Sequence, residues 1–492
     1  MKLGELVRGL SDEALGTDLL GQEITSLAYD SRRVQEGSLF FAIRGAKADG
    51  HDFVEYALER GAVAVASERP APPEFGRPWI RVSNTRRTLA EAARTFYSDP
   101  ASRLQLVGIS GTNGKTTTAY LLHSILQAAG MLPGLFGTVE YRVGSRTLPA
   151  VHTTPESVDL LSYFADLVAA GGKAAVMEVS SHALAQERVW GIHFSAAVFT
   201  NLTRDHLDYH KDFEHYFAAK RRLFEGVGAP PPDLAVLNLD DPWSERLLQL
   251  PYKRSVTYGV NTDAVVRPRT FTQSLMGINA TLATPQGKLE IESTLVGRVN
   301  LENILAAVAT AEGLGVPGET IRQGIADLKL VPGRFARVDE GQPFLVIVDY
   351  AHTDDALANA LKTARELTRN RLIVVFGCGG DRDRAKRPLM GEVAGSLSDL
   401  AVLTSDNPRS EDPIRIMSDA MVGLQKANKT YLTEVDRRAA IRKALTEAGD
   451  GDVVLIAGKG HESYQVLKDE TIPFDDREVA RRVLLEIGWG RS

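Results

Sequence analysis

The chain predicts an α/β protein of three domains. At 492 residues it is too long for one compact core, since domains run to roughly 100–200 residues each. From Leu104 onward, short apolar runs alternate with helix-length amphipathic stretches, the pattern of parallel strands buried on both faces. Two breakers, Ser98-Asp99-Pro100 and Val331-Pro332-Gly333, interrupt that alternation and divide the chain into residues 1–99, 100–332 and 333–492.

The first part offers strand-like pieces at 38–43, 63–66 and 79–82, and closes on a helical stretch at 87–97. That is the content of a small α/β unit. In the second part, 104–109, 174–179, 196–200 and 234–238 read as buried strands. Leu121, Leu122, Ile125, Leu126 and Ala129 fall at helical spacing before Gly130, a C-cap signal. A doubly wound parallel sheet is expected here. The third part repeats the alternation with strands at 344–349, 372–377, 400–405 and 453–457, the pattern of a Rossmann-like domain.

Composition narrows the function. Hydrophobic residues make up 43% and charged residues 24% of the chain, as in ordinary globular proteins. Lys plus Arg total 57 against 63 for Asp plus Glu, with no long run of one sign, so neither nucleic acid nor an acidic membrane is an expected partner. The single cysteine, Cys378, excludes intramolecular disulfides and Cys-based zinc sites and fits a reducing compartment. Apolar runs are strand-sized, far short of the roughly 20 residues that span a bilayer. The first residues carry acids where a signal peptide needs an apolar core. The expectation is a cytoplasmic monomer without membrane insertion.

The strand at 104–109 runs into Ser110-Gly111-Thr112-Asn113-Gly114-Lys115-Thr116-Thr117 and then into a helix. This is the setting of a phosphate loop: glycines let backbone N–H groups converge on phosphate, Lys115 reaches the β and γ phosphates, and Thr116 can ligate Mg²⁺. The motif is a variant, with Ile109 where the strict pattern has glycine and Gly108 one residue early. Glu178 ends one strand, and Thr200-Asn201-Leu202-Thr203-Arg204-Asp205-His206 follows the next, on the side of such sheets where ligands collect. Taken alone, Glu178 is as readily an ion-paired acid and His206 a structural histidine. Their joint placement favours a metal.

Together with Pro332-Gly333-Arg334-Phe335, Asp349-Tyr350-Ala351-His352 and the 297–303 segment, these motifs resemble the Mur ligases, the ATP-dependent amide ligases of peptidoglycan synthesis. The resemblance covers nearly the whole chain. It implies a uridine-nucleotide domain, a central ATPase domain with a phosphate loop and a C-terminal amino-acid domain. Asp406-Asn407-Pro408-Arg409 is the motif of members that add meso-diaminopimelate to UDP-MurNAc-L-Ala-D-Glu. The resemblance assigns ATP to Gly111 through Thr117 with Asn303, Arg334 and Asp349. It assigns Mg²⁺ to Thr116, Glu178, His206 and a carbamylated Lys220, and catalysis to Lys115, Glu178, His206 and Lys220. Ser31, Ala46, Lys47, Ala48, Thr153, Thr154, Ser180, Gln186 and Arg188 match positions for the UDP-dipeptide. Two departures stand there: Ala46-Lys47-Ala48 lacks a bulky polar side chain found in some relatives, and His152 replaces an amide. Arg382, Asp406, Asn407, Pro408, Arg409, Gly458 and Glu462 match the diaminopimelate site. A guanidinium suits the acceptor's distal carboxylate and a Glu its ammonium. Lysine-adding members, folylpolyglutamate synthase and a nucleotide-dependent binding switch are the alternatives.

Overall fold

The structure is a computed structural model that describes residues 1–8, 20–45, 48–73, 75–274, 276–427 and 430–490. Ala46 and Lys47, expected at the uridine nucleotide, lie outside the described residues. Near the N-terminus, β1 (Ser26–Ala28), β2 (Ser38–Phe41), β3 (Ala62–Ser67) and β4 (Trp79–Arg81) form a four-stranded parallel sheet in sequence order. Leu39 and Phe41 face one core while Phe40 faces another, the period-two signature of a sheet covered on both sides. Helix α1 (Thr85–Phe96) starts where the Asn84 side chain accepts from Arg87 N, a side-chain cap. The cluster holding Leu39 and Phe41 continues through Leu89 into Phe136 and Phe164, so the first sheet shares a core with the second.

The second sheet has eight strands: β5 (Gln105–Ser110), β6 (Gly134–Phe136), β7 (Glu140–Val143), β8 (Arg146–Pro149), β9 (Ala174–Glu178), β10 (Ala196–Phe199), β11 (Leu234–Asn238) and β12 (Arg254–Tyr258). Their order is β12-β11-β10-β5-β9-β6-β7-β8. The expected parallel core is present, but β7 and β8 pair antiparallel at one edge. A further three-stranded antiparallel sheet, β13 (Arg267–Ser274), β14 (Gly277–Thr284) and β15 (Gly287–Ser293), was not expected. Its signal is alternation: Ile278, Ala280 and Leu282, then Leu289 and Ile291, face the core while their neighbours face outward. Helices α2 (Lys115–Ala128), α3 (Phe213–Glu225) and α4 (Arg298–Gly313) belong to this part.

The last sheet comprises β16 (Ala336–Val338), β17 (Leu345–Asp349), β18 (Leu372–Phe376), β19 (Leu400–Thr404), β20 (Tyr431–Glu434) and β21 (Val453–Ala457), in the order β16-β17-β21-β18-β19-β20. Only β16 runs antiparallel. Helices α5 (Asp354–Leu367), α6 (Lys386–Leu397), α7 (Pro413–Ala427) and α8 (Arg437–Glu447) accompany it. The carboxyl ends of β17, β21, β18 and β19 are adjacent, and loops grow from each, the usual location of a ligand crevice in such sheets. No helix among the described residues is long and apolar enough to cross a membrane.

Candidate active site

The loop between β5 and α2 requires its glycines. Gly111 has φ +149° and Gly114 φ +84°, and a Cβ at either would run into Thr200 Oγ1 or Asn303 Oδ1. The polar density after β10 has a structural reason. Thr200 Oγ1 donates to Asn113 O (2.6 Å), Asn113 N donates to Asn201 Oδ1 (2.8 Å), and Thr203 N donates to Thr112 Oγ1 (3.0 Å). That loop braces the phosphate loop from beneath. Lys115 Nζ folds back to donate to Gly111 O (2.9 Å) and Thr112 O (2.6 Å), and burial lowers its pKa. A β- or γ-phosphate would compete for that ammonium with far stronger acceptors than two neutral carbonyls.

Strand register sets the next group. Glu178 pairs with Ile109 at the end of β9, which puts its carboxylate beside the start of α2. Its Oε1 accepts from Thr116 Oγ1 (3.0 Å) and Thr138 N (2.9 Å), and its Oε2 from Thr138 Oγ1 (3.2 Å). His206 and Lys220 line the same cleft of about 520 Å³. His206 adopts a left-handed φ of +53°, and its Nε2 lies 3.3 Å from Asp205. Burial of the imidazole, opposed by Asp205 and aided by His182 and Lys220, pushes its pKa down to about 4, so the ring is neutral at pH 7. Lys220, buried on α3, donates to Gly111 O at 2.6 Å and lies 4.5 Å from the Tyr216 ring. Burial first, then the neighbouring Lys115, lowers its pKa well below 10.5. Among the described residues no three His, Cys, Asp or Glu side chains gather as a metal cluster. The oxygens of Thr116 and Glu178 suit a hard divalent cation, and the neutral ring of His206 leaves a lone pair free. An unmodified ammonium at Lys220 does not suit one.

Residues of the third part close over this cleft. Arg334 Nη2 donates to Thr116 Oγ1 (3.0 Å), its guanidinium stacks 4.7 Å from the Tyr350 ring, and its buried Nε has no hydrogen-bond partner. Asp349 is pinned at the end of β17 by Phe335 N (2.7 Å) and Ala351 N (2.9 Å), while burial raises its pKa. Asn303 on α4 holds Asn300 Oδ1 at 3.2 Å and lies against Gly114. Asn113 also donates to Asp355 Oδ2 on α5 (3.2 Å), a second bridge between the parts that sequence reasoning missed.

The residues matched to the UDP-dipeptide form two groups. Ser31 is buried in a short turn whose Asp30 caps Arg32 N (3.0 Å), and exposed Ala48 accepts from Gly45 N (2.9 Å). In the central part, Thr153 and Thr138 hydroxyls meet at 3.2 Å, Thr154 Oγ1 donates to Glu178 O (2.9 Å), and Ser180 N donates to Thr154 Oγ1 (3.1 Å). Arg188, matched to the dipeptide's carboxylates, has internal partners here: Nη1 donates to Thr154 O (2.7 Å), Nη2 to Gln186 Oε1 (2.8 Å), and Nε lies 3.0 Å from Glu156. Glu156 also takes Arg86 of α1 at 3.3 Å, so an unforeseen carboxylate joins the first sheet's unit to this arginine.

Three loops at adjacent strand ends gather the residues matched to diaminopimelate. Asn407 Nδ2 donates to Glu462 Oε2 (2.8 Å), and buried Lys459 Nζ donates to Asn407 Oδ1 (3.1 Å) and Glu462 Oε2 (3.2 Å). Gly458 has φ +118°, and a Cβ there would press on Asp406 Oδ2. Arg409 (φ +52°) donates from Nη1 to Gly380 O (2.7 Å), and a Cβ on Gly380 would collide with Pro408 O. Arg382 is exposed, and its Nη1 donates to Asp381 O (3.4 Å). Cys378 is buried with Sγ 3.7 Å from Met390 Sδ and its pKa raised by burial to about 12.

Beside these loops, Glu411 accepts from Arg387 Nη2 (2.7 Å) and from Asp381 N (2.6 Å), which hold its pKa down to about 2 from 4.5. A folded value below the unfolded one means that its stabilisation is complete above pH 4.5 and is lost as pH falls toward 2. In Glu411→Gln the unfolding midpoint should lie below wild type at neutral pH. The gap should close across that acid window, and a constant gap would assign it to something other than charge.

Three family descriptions match the chain: Mur ligase family, catalytic domain, over residues 23–97; Mur ligase middle domain over 109–311; and Mur ligase, glutamate ligase domain, over 333–460. The chain is 56% identical over 493 residues, all of both chains, to the UDP-N-acetylmuramoyl-L-alanyl-D-glutamate–2,6-diaminopimelate ligase of Solibacter usitatus. It is 47% identical, with 99% of each chain covered, to the protein of that name from Geobacter metallireducens. A solved structure bearing the same enzyme name superposes with a TM-score of 0.70 at 33% identity, covering 99% of both chains. Folylpolyglutamate synthase of Mycobacterium tuberculosis, at 19% identity, TM-score 0.61 and 82% of this chain, shares the fold alone. With full-length relatives at this identity, and with the phosphate loop, Glu178 and Arg334 assembled at one cleft, the chain belongs to the Mur ligase family.

Proposed function

We propose that the chain joins an amine of meso-diaminopimelate to the side-chain carboxylate of D-glutamate in UDP-MurNAc-L-Ala-D-Glu, converting ATP to ADP and phosphate. The observation that carries this reading is the contact of Arg334 with Thr116 at 3.0 Å, which brings the third part, with its acceptor loops, onto the phosphate loop. The names of the full-length relatives support the same substrates. Residues 1–99 would hold the uridine nucleotide, 100–332 the ATP and 333–492 the amino acid.

The chemistry runs in two steps. A carboxylate is a poor electrophile, so its oxygen first takes the γ-phosphoryl group, giving an acyl phosphate and ADP. The acceptor's neutral amine then attacks the acyl carbon, phosphate leaves with the C–O bonding pair, and the ammonium formed gives up a proton. Gly111 through Thr117 supply backbone N–H groups and Lys115 a charge where the triphosphate would lie. Arg334, with its unpaired Nε in the same cleft, would meet the transferred group. Thr116, Glu178, His206 and Lys220, once carbamylated, would hold Mg²⁺, which supplies positive charge against the developing phosphoryl oxygens. Asn303 and Asp349 would position the nucleoside, and closure through Arg334 and Asp355 would keep water from the acyl phosphate.

Arg409 is proposed to take the distal carboxylate of diaminopimelate and Glu462 its ammonium, with Arg382, Asp406, Asn407, Pro408 and Gly458 shaping the pocket. Arg409→Ala should lower kcat/KM for diaminopimelate by about tenfold to a hundredfold, the value of a charge-assisted hydrogen bond. Lysine lacks that carboxylate and should lose far less. An equal proportional loss for both acceptors would move the selectivity elsewhere. The reading as a whole is tested by phosphate release with ATP and the UDP-dipeptide while each amino acid is supplied in turn. Release that ignores the amino acid would defeat it.

A further inference from the structure

We propose that Arg387 and Glu411 form a strut that sets the spacing of the two acceptor-facing arginines, Arg382 and Arg409, and thereby acts as a positioning device for the amino-acid substrate. This rests on the acceptor reading given above.

Arg387 lies on the first turn of α6 and is wholly buried. Its Nη1 donates to Glu411 Oε2 (3.0 Å) and Asp419 Oδ2 (2.9 Å), and its Nη2 to Glu411 Oε1 (2.7 Å) and Gly379 O (3.3 Å). One guanidinium therefore ties the loop after β18 to the loop after β19 and to α7. Glu411 extends the tie by accepting Asp381 N at 2.6 Å. Asp381 in turn accepts from Ser410 Oγ (2.7 Å) and Ser410 N (3.2 Å). Both neighbours of the strut are the arginines in question: Arg382 follows Asp381, and Arg409 precedes Ser410. The two side chains also converge, since a Cβ at Gly379 would lie 3.0 Å from Arg409 Nη1 and 3.7 Å from Arg382 Cγ.

The strut is not needed to hold the helices together. At Gly391 and Gly423 the backbones of α6 and α7 meet so closely that a Cβ would collide with Ala420 O or Pro388 O. The carboxylates of Glu411 and Asp419 keep 24% and 33% exposure, so water screens part of the attraction and the contribution to stability is modest. What it does supply is geometry. A planar fork fixes two carboxylates at once, which a lysine cannot reproduce. The surrounding Asp381, Glu411 and Asp419 also offset repulsion between two guanidinium groups brought together before any substrate carboxylate arrives.

The test uses Arg387→Lys and Glu411→Gln in the full-length enzyme, with Arg409→Ala alongside. Both strut variants should raise KM for meso-diaminopimelate by about tenfold, leaving kcat and KM for ATP within about twofold. Acyl phosphate trapped by borohydride from ATP and the UDP-dipeptide, with no amino acid present, should form as in wild type. Unchanged diaminopimelate kinetics in both strut variants, while Arg409→Ala is impaired, would overturn the strut alone. An Arg409→Ala variant with wild-type acceptor kinetics would overturn the acceptor reading instead. A parallel fall in acyl phosphate would reduce the pair to general structural support and so overturn the proposal. If Arg387→Lys fails to fold, Glu411→Gln, whose side chain keeps 24% exposure, decides.

Discussion

Glu178→Ala is expected to lower turnover on the order of a thousandfold while uridine-nucleotide affinity changes by no more than about twofold. The size of the effect follows from where the carboxylate sits. Strand pairing of Glu178 with Ile109 fixes its backbone next to the phosphate loop, and the hydrogen bonds from Thr116 Oγ1 and Thr138 fix its side chain. No other carboxylate among the described residues bonds to Thr116. Ser31, proposed above for the uridine nucleotide, belongs by contrast to the turn after β1, a strand of a separate sheet. Glu178→Gln refines the test, because it keeps the shape and one acceptor oxygen while removing the charge. Turnover lost in both variants, with calorimetric affinity retained, assigns the effect to charge at the phosphoryl-transfer site. An affinity loss as large as the turnover loss would show that the two sites are not separable as proposed.

The parts of the fold that could be read from sequence are those where periodicity is strong and local. Buried parallel strands such as 372–376 and 453–457 are unbroken apolar runs, and each is found within a residue or two of its expected limits. The antiparallel sheet of β13 to β15 was overlooked because its alternating Ile278, Ala280 and Leu282 are diluted by Asn279 and Thr281, so no run stands out. The phosphate loop was legible because one continuous segment carries it. Glu156, Asp355 and Arg387 were not. Each acts through a partner distant in sequence: Arg86 lies 70 residues from Glu156, Asn113 242 residues from Asp355, and Glu411 24 residues from Arg387. An arginine or aspartate with no local motif looks like solvated surface until the tertiary contact is drawn. The pairing of Arg188 with Glu156 illustrates the same limit, since no local motif announces that carboxylate.

Lys220→Ala is expected to abolish most ligation with the fold intact, and wild-type Lys220 is expected to carry a carbamate. Burial on α3 and the charge of Lys115 both disfavour the ammonium form of Lys220. The amine that results is the species able to add to the carbon of CO₂, forming an N–C bond and releasing one proton. The product replaces a cation with an anion of two hard oxygens, the donors that a Mg²⁺ site prefers. As an amine, Lys220 shares Gly111 O with Lys115, at 2.6 and 2.9 Å respectively. Turning Lys220 into an anion would therefore also give the Lys115 ammonium a charged neighbour beside the triphosphate. Removing the side chain leaves a space on α3, while Lys115 keeps its hold on Gly111 O, so thermal unfolding should shift far less than activity. Carbon-13 NMR with labelled bicarbonate should show a carbamate resonance in wild type that is absent from Lys220→Ala. Full ligation by that variant, or an active wild-type enzyme without the resonance at saturating bicarbonate, would remove Lys220 from the metal site and leave Thr116, Glu178 and His206 to hold the cation alone.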